Sequence, residues 1–360
     1  MELRFVTSQG PQYISNFKAM LRAHPQINSI MDPSLYKDFK TSRGFNYHYF
    51  AVAPQKDQPY LLFLHGFPST SYDWRHQVAH FKDRGYGLIV PDMLGYGGTS
   101  IPTDPETYRK TLICKDIVEL LDTEGIKQCI AVGHDWGSHI TARLADLYED
   151  RFIAFAFLAV GYSPPRPVFD MEQLLALTKK LAGYELVGYW KFFSAPDAPE
   201  VIEKNFDSFF SIVYAEDPDL WKTDLAPTGT LRAWLESGKT TAIGSWISEE
   251  ERKIHSEHLL KGGLAGPVCW YRVLTSGASS DDDKSVPIRS PAVTKPVFFG
   301  AAKRDAIGVA QFQIHGTTQA CSNLTVREID AGHWIQLEKK DEVNQELGAW
   351  LNTVLATAPA

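Results

Sequence analysis

This 360-residue sequence predicts an α/β architecture: a mostly parallel sheet covered by helices on both faces and interrupted by an inserted helical cap. Three observations carry that expectation. Apolar, β-rich runs at Tyr60 to Leu64, Tyr86 to Val90, Gln128 to Val132 and Phe152 to Val160 alternate with helix-period stretches, and near-continuous apolar strands are what a sheet buried on both faces requires. The alternation stops at Ser163-Pro164-Pro165-Arg166-Pro167, after which helical, aromatic-rich sequence runs to a proline-bearing link between Pro287 and Pro296. The strand pattern then resumes at Val297-Phe298-Phe299 and Leu324-Thr325-Val326.

In chain order, the runs Tyr36 to Thr41 and Phe45 to Ala53 are joined by the short link Ser42-Arg43-Gly44 and read as a hairpin on the antiparallel edge of the sheet. Ile113, Ile117, Leu120 and Leu121 repeat at helical spacing, as do Ile140, Leu144 and Leu147, and Val343, Leu347, Trp350, Leu351 and Val354 mark a closing helix. One core is therefore split by one insertion, with the first part at residues 1–162, the cap at 163–290 and the second part at 291–360. Inside the cap, Ser279-Ser280-Asp281-Asp282-Asp283-Lys284 is polar and charge-biased, which predicts a solvated loop rather than a metal site.

Composition narrows the partners. With 44% hydrophobic residues the chain is long enough to bury a large core, and a formal charge of -7 gives no basic footprint for nucleic acid or for an anionic membrane surface. The stretch Phe152 to Val160 stops well short of a membrane span, and the first residues lack the basic-then-apolar layout of a signal peptide. Cys114, Cys129, Cys269 and Cys321 lie far apart, without the close spacings of zinc or redox pairs. Four free thiols in a soluble, cytoplasmic protein are expected.

The chemistry is announced at Gly133-His134-Asp135-Trp136-Gly137, which follows the apolar run Ile130-Ala131-Val132 and precedes a helix. This is the layout of a nucleophile elbow, a strained strand-to-helix turn that needs small residues around its apex, with aspartate where such turns usually carry serine. A carboxylate is already an anion at neutral pH and can displace a leaving group from saturated carbon without a base to activate it. In the chain order nucleophile, acid, histidine, the partners are Asp305, which ends Gly300-Ala301-Ala302-Lys303-Arg304-Asp305, and His333, in Asp330-Ala331-Gly332-His333-Trp334. Each alone would more commonly be a helix cap or a satisfied loop histidine, but their joint order beyond strand ends favours a triad. Leu64-His65-Gly66-Phe67-Pro68 leaves another strand, so the backbone N–H groups of Phe67 and Trp136 are the expected oxyanion donors. A cis bond before Pro68 would aim that loop inward. His65, His134 and Asp92 are assigned structural roles, and Phe67, Pro68, Trp136 and Trp334 predict an apolar pocket.

With these residues in place the chain resembles the epoxide hydrolases of the α/β-hydrolase fold: His65-Gly66-Phe67-Pro68, Gly133-His134-Asp135-Trp136-Gly137 and Gly332-His333-Trp334 match that family's pattern, and the likeness covers nearly the whole chain. In that family two cap tyrosines hydrogen-bond the epoxide oxygen. Cys269-Trp270-Tyr271-Arg272 resembles the segment carrying the second, and Tyr189, ahead of Ala195-Pro196, resembles the first, with Tyr184 and Tyr214 as rivals. The resemblance implies attack by Asp135 on an oxirane carbon, an ester on the enzyme, and hydrolysis by water activated by His333 and Asp305, with no metal or organic cofactor. Some relatives place the acid after the strand before the cap, but here that strand ends Ala159-Val160-Gly161, without a carboxylate.

Other chemistries share this elbow. Haloalkane dehalogenases use the same aspartate and often the same Asp-Trp pair, but usually carry a polar residue where this chain has Phe67, and they lack the tyrosine pair. Fluoroacetate-type dehalogenases usually follow the aspartate with arginine. An epoxide-opening cyclase keeps the site and yields a cyclic ether, and binding proteins on this fold need not keep the proton-transfer set.

Overall fold

Leu61, Leu62, Phe63 and Leu64 are each fully buried, and they divide between two hydrophobic clusters: Leu62 and Leu64 pack on one face of the sheet, Leu61 and Phe63 on the other. Alternation of side chains along a strand, with both faces covered, explains why these runs read as continuously apolar. The computed structural model describes residues 31–357. Residues 1–30 of the expected core, and with them the reading of the first residues as free of a leader, lie outside the described residues.

The strands are β1 (Tyr36–Lys40), β2 (Asn46–Val52), β3 (Tyr60–Leu64), β4 (Gly87–Pro91), β5 (Cys129–His134), β6 (Phe152–Leu158), β7 (Val297–Ala302) and β8 (Leu324–Ile329). They form one sheet in the order β1-β2-β4-β3-β5-β6-β7-β8. The β1–β2 hairpin is the antiparallel edge, and β2 pairs antiparallel with β4, while the remaining pairs are parallel. Lys37 and Lys40 lie on the outermost strand, where charge discourages pairing with another chain. The strand before the cap is shorter than its apolar run suggested: it ends at Leu158, and Ala159 turns the chain with φ 61°.

Register places the site. Leu64 lies opposite Gly133, His134 opposite Leu158, Leu158 opposite Gly300, and Ala302 opposite Ile329. The loops after β3, β5, β7 and β8 therefore leave the same edge of the sheet. The sheet grows outward from β3 in both directions, to β4 on one side and β5 on the other, and such a switch point opens a crevice at the strands' carboxyl ends.

Between β6 and β7 the chain forms the α-helices Met171–Ala182, Tyr189–Ser194, Ala198–Lys204, Phe206–Val213, Thr230–Glu236, Glu249–Gly262, Cys269–Thr275 and Ala278–Asp283. Their ends follow local chemistry. Asp170 caps the first through the Gln173 N–H, Gly183 closes it in the left-handed conformation, and Ser248 with Glu251 forms a capping box on the longest. Among the described residues no helix is long and apolar enough to cross a membrane, and the four cysteines are free and buried.

One expectation is corrected. The segment Ser279 to Lys284 is not a solvated loop: Ala278–Asp283 is helical, and Ser279, Asp282 and Asp283 are buried. The Lys110 ammonium donates to Ser279 Oγ at 3.0 Å and to Asp283 Oδ2 at 3.1 Å, the Thr111 N–H donates to Asp282 Oδ2 at 3.0 Å, and Arg143 Nε lies 3.6 Å from Asp283 Oδ1. The acidic run is polar because it meets cations buried in the core, not because it meets water. Replacing Asp283 by Ala strands Lys110 and Arg143 without that acceptor and should cost about 3 kcal/mol in urea unfolding. Asp281→Ala, on the exposed side of the same helix, should change little, and equal losses from the two variants would contradict this account.

Candidate active site

The apex of the elbow is Asp135, whose backbone takes φ 54° and ψ -121° between the end of β5 and the helix Trp136–Tyr148. A non-glycine residue held there stores strain of about 1–3 kcal/mol. The neighbouring glycines exist for space: a Cβ on Gly137 would strike the Leu64 backbone, one on Gly133 the Gly137 carbonyl, and one on Gly66 the Asp135 carboxylate itself.

The structure brings Asp135, Asp305 and His333 together from three strand ends. His333 Nδ1 donates to Asp305 Oδ2 at 2.7 Å, and its Nε2 lies 3.5 Å from Asp135 Oδ2. The other Asp305 oxygen accepts the N–H groups of Ile307 at 2.8 Å and Gly308 at 2.9 Å. Burial opposes the charge on all three groups. For His333 the two carboxylates outweigh it and push the imidazole up to about 10, so the ring is an imidazolium. For Asp135 the His333 hydrogen bond and charge, together with the Phe67 N–H, overcome burial and hold the carboxyl below its ordinary range. Asp305 is lowered in the same way by His333 and the two N–H groups.

Phe67 occupies the position expected of an oxyanion donor: its N–H donates to Asp135 Oδ1 at 2.9 Å, and the Phe67–Pro68 bond is cis. Trp136 begins its helix, where an N–H has no intrahelical acceptor and the helix dipole favours a neighbouring anion. His134 donates from Nε2 to the His333 carbonyl at 2.8 Å, and burial pushes its pKa down to about 4. His65 accepts the Met93 N–H at 2.8 Å and is likewise neutral through burial. Asp92 accepts the Ser71 and Gly98 N–H groups, which ties its turn together.

A cavity of about 20 Å³, room for about one water, is lined by Asp135, His333, Tyr189, Tyr271, Phe67, Pro68 and Trp334, among others. Trp136 lies instead on the wall of a neighbouring cavity of about 380 Å³ that shares Asp135 and Tyr189. The two tyrosine rings are 5.9 Å apart between centroids. Burial first, then the Asp135 charge, raises the Tyr189 hydroxyl above its ordinary range; burial, Tyr189 and Asp135 do the same for Tyr271. Both are O–H donors. Their rivals are committed elsewhere: the Tyr184 hydroxyl donates to the Ala306 carbonyl at 2.7 Å and that of Tyr214 to the Pro68 carbonyl at 2.6 Å.

Several contributors had no sequence signal. Phe193, Val213, Trp221, Leu225 and Ile307 also line the small cavity. Glu338 accepts the Gly332 N–H at 2.7 Å and the Trp334 N–H at 3.2 Å, which clamps the loop that bears His333.

The profile of the alpha/beta hydrolase fold matches residues 59–340. A Mus musculus protein named bifunctional epoxide hydrolase 2 is 28% identical over 297 residues, covering 82% of this chain and 52% of the relative, so the chain spans about half that protein's length. Epoxide hydrolase 1 of Siraitia grosvenorii is 29% identical over 319 residues, covering 84% of this chain and 94% of the relative. Among solved structures, an epoxide hydrolase from an endophytic Streptomyces superposes with a TM-score of 0.75 at 25% identity, covering 89% of this chain and 96% of that one. Matched over its sheet, its elbow and the loops at the strand ends, the chain belongs to the alpha/beta hydrolase fold family.

Proposed function

We propose that this chain is an epoxide hydrolase that converts hydrophobic epoxides to vicinal diols through an ester on Asp135. The observation that carries the reading is the pair of buried, protonated tyrosines, Tyr189 and Tyr271, in the same cavity as the Asp135 carboxylate and the His333 imidazolium. Opening an epoxide creates an alkoxide, and a proton donor facing the attacking carboxylate meets that charge where it develops. Displacement of halide leaves an anion that needs no proton, so the tyrosine pair favours the epoxide over a haloalkane. The names carried by the mouse, Siraitia and Streptomyces proteins support the same choice.

In this scheme Asp135 Oδ2 forms a bond to an oxirane carbon, the ring C–O bond breaks, and Tyr189 or Tyr271 gives the alkoxide its proton. Asp135 Oδ1 stays on the Phe67 N–H as the ester's carbonyl oxygen. Esterification removes one of the two anions that held the imidazolium, so His333 becomes basic at neutral pH only after the first step is complete. Its proton balances the one the tyrosine released. Neutral His333, oriented by Asp305, then takes a proton from water as that water adds to the ester carbonyl; collapse frees the diol and restores the carboxylate. Neither step calls on a cofactor. The domain division is core 1–162 and 291–360 with cap 163–290, and the four free, buried thiols suit a cytoplasmic setting. A substrate carrying its own nucleophilic hydroxyl would give a cyclic ether from the same site.

Incubation with styrene oxide should yield phenylethanediol, whereas chloroalkanes should release no halide; the opposite pattern would make the protein a dehalogenase. The His333→Gln variant should accumulate a substrate-sized mass adduct on the peptide containing Asp135, and an enzyme that binds epoxide without any adduct would rule out the ester. Tyr271→Phe should lower the rate of adduct formation on the order of 10²-fold and the double change with Tyr189→Phe further; an unchanged rate would remove the tyrosines from the reaction. Decay of the wild-type ester in single turnover should accelerate as pH rises and then level off, because it needs neutral His333, while ester formation should not follow the same curve. Ester decay independent of pH would exclude His333 as the base.

A further inference from the structure

The loop that carries His333 has to be placed as well as shaped. Glu338 shapes it, since its carboxylate accepts the Gly332 and Trp334 N–H groups on either side of His333. But Glu338 ends the short helix that follows the loop, Ile335–Glu338, so these bonds do not fix the loop against the nucleophile. On the β7 side the loop is tied by the Arg304 N–H on the Ala331 carbonyl at 2.8 Å and by His333 itself on Asp305. The elbow lies farther off, because β5 is separated from β8 by β6 and β7. A side chain spans that gap: from the position just before Asp135, His134 Nε2 donates to the His333 carbonyl at 2.8 Å.

That bond allows one neutral tautomer. A carbonyl only accepts, so Nε2 carries the proton, and Nδ1 is then a lone pair that takes the Gln336 side-chain N–H at 3.3 Å. Gln336 is anchored in turn by Gln77, whose Nε2 donates to the Gln336 carbonyl at 3.1 Å from the helix Arg75–Lys82 that follows the Phe67 loop. His134, Gln336 and Gln77 are each no more than 1% exposed, so water does not compete for these bonds. Burial first, then the charge of His333, pushes His134 down to about 4, with Asp135 opposing. The two imidazole rings are 4.9 Å apart between centroids, and a second cation there would repel the imidazolium that His333 becomes whenever it takes a proton from water. His134 thus supplies a donor without a charge.

We propose that His134 is a positioning residue for ester hydrolysis: its bond to the His333 carbonyl sets how far His333 Nε2 stands from the Asp135 carboxyl group, and Gln336 holds it in the tautomer that makes that bond. The separation is 3.5 Å in this structure, and a base misplaced by about 1 Å loses on the order of 10²-fold in rate. Ester formation uses Asp135, Tyr189 and Tyr271 and does not call on His333 as a base, so the loss falls on hydrolysis. This rests on the ester reading of the site, and the experiment separates the two. Single-turnover ester formation and decay with styrene oxide, together with kcat and KM, are measured on the wild type, His134→Leu, His134→Gln and Gln336→Met. Without substrate, the His333 Nδ1 proton held by Asp305, identified by its loss in His333→Gln, is followed by NMR for its exchange with water.

His134→Leu should slow ester decay on the order of 10²-fold while ester formation stays near the wild-type rate, so that kcat and KM fall together as the ester accumulates. It should also speed exchange of the His333 proton. His134→Gln, whose side-chain amide reaches the same carbonyl, should restore most of both, and Gln336→Met should slow decay by less, in the same pattern. Loss of folded enzyme would lower kcat and leave KM unchanged, so the pattern separates position from stability. Wild-type decay in His134→Leu, a loss that His134→Gln does not relieve or, where His134→Leu does not fold, unchanged decay in Gln336→Met would each overturn the assignment. Exchange of the His333 proton at one rate in every variant would overturn it whatever the enzyme turns over. Exchange that follows the variants as expected, with no ester from any epoxide, would leave His134 in its place and overturn the epoxide reading instead.

Discussion

A single buried imidazolium lying between two buried carboxylates is the constraint on which the rest of the structure depends. His333, Asp135 and Asp305 are each no more than 9% exposed, and an unpaired charge at such depth costs several kcal/mol. The compensation is local and comes from the ends of elements: the Phe67 N–H on Asp135, the Ile307 and Gly308 N–H groups on Asp305, and the start of the helix Trp136–Tyr148 beside the apex. None of these donors is available unless four strand ends are in register. The parallel sheet is thus the device that makes a dense cluster of charge tolerable, and the strained backbone at Asp135 is stabilised by the same register.

The loops that carry these groups are in turn tied to the helical insertion by aromatic side chains. The Tyr214 hydroxyl reaches the Pro68 carbonyl, the Tyr184 hydroxyl the Ala306 carbonyl, and Trp270 Nε1 the Leu94 carbonyl at 2.9 Å, while Trp334 Nε1 reaches back to the Val213 carbonyl at 2.9 Å. Each ring buries a large apolar area and spends its one polar atom on a backbone acceptor of the facing layer. Tyr214 also stacks on Trp334, with centroids 4.6 Å apart, so the loop before Pro68 and the loop after His333 are held by one pair of rings. The abundance of aromatics in the insertion reflects this fastening as much as any pocket lining.

That double use explains what sequence could and could not reveal. The strands were legible because a sheet covered on both faces writes a continuous apolar run for each, and the elbow because its two glycines bracket the apex in the sequence, Gly133 meeting the Gly137 carbonyl a few residues on, although the contact that demands glycine at 137 is with the distant Leu64 backbone. Tyr189, Tyr184 and Tyr214 could not be separated in the sequence, since all three are buried or half-buried aromatics and only the partner of each hydroxyl distinguishes them. The acidic run at 281–283 was misread for a related reason. Composition registers charge but not its partners, and the cations that meet Asp283 come from positions 110 and 143, far away in the chain. Glu338 escaped notice because its two backbone donors lie within six residues in a loop whose shape no periodicity encodes.

The two cavities divide the labour of the proposed reaction. Only the larger has room for a substrate chain, and it reaches Asp135 past Trp136 and Tyr189; the smaller has room for about one water and lies where Asp135 and His333 both line the wall. A water placed there is beside an imidazolium that cannot accept its proton, so hydrolysis has no base until esterification has removed the Asp135 charge. In the proposed scheme timing is a property of electrostatics rather than of motion: esterification of Asp135 would switch His333 from counter-ion to base, and release of the diol would return the carboxylate that switches it back. In that scheme the same coupling protects the resting state. With Asp135 ionised His333 is not a neutral imidazole and cannot activate water, and the carboxylate is kept desolvated, paired and aimed by the cluster that the strand ends assemble.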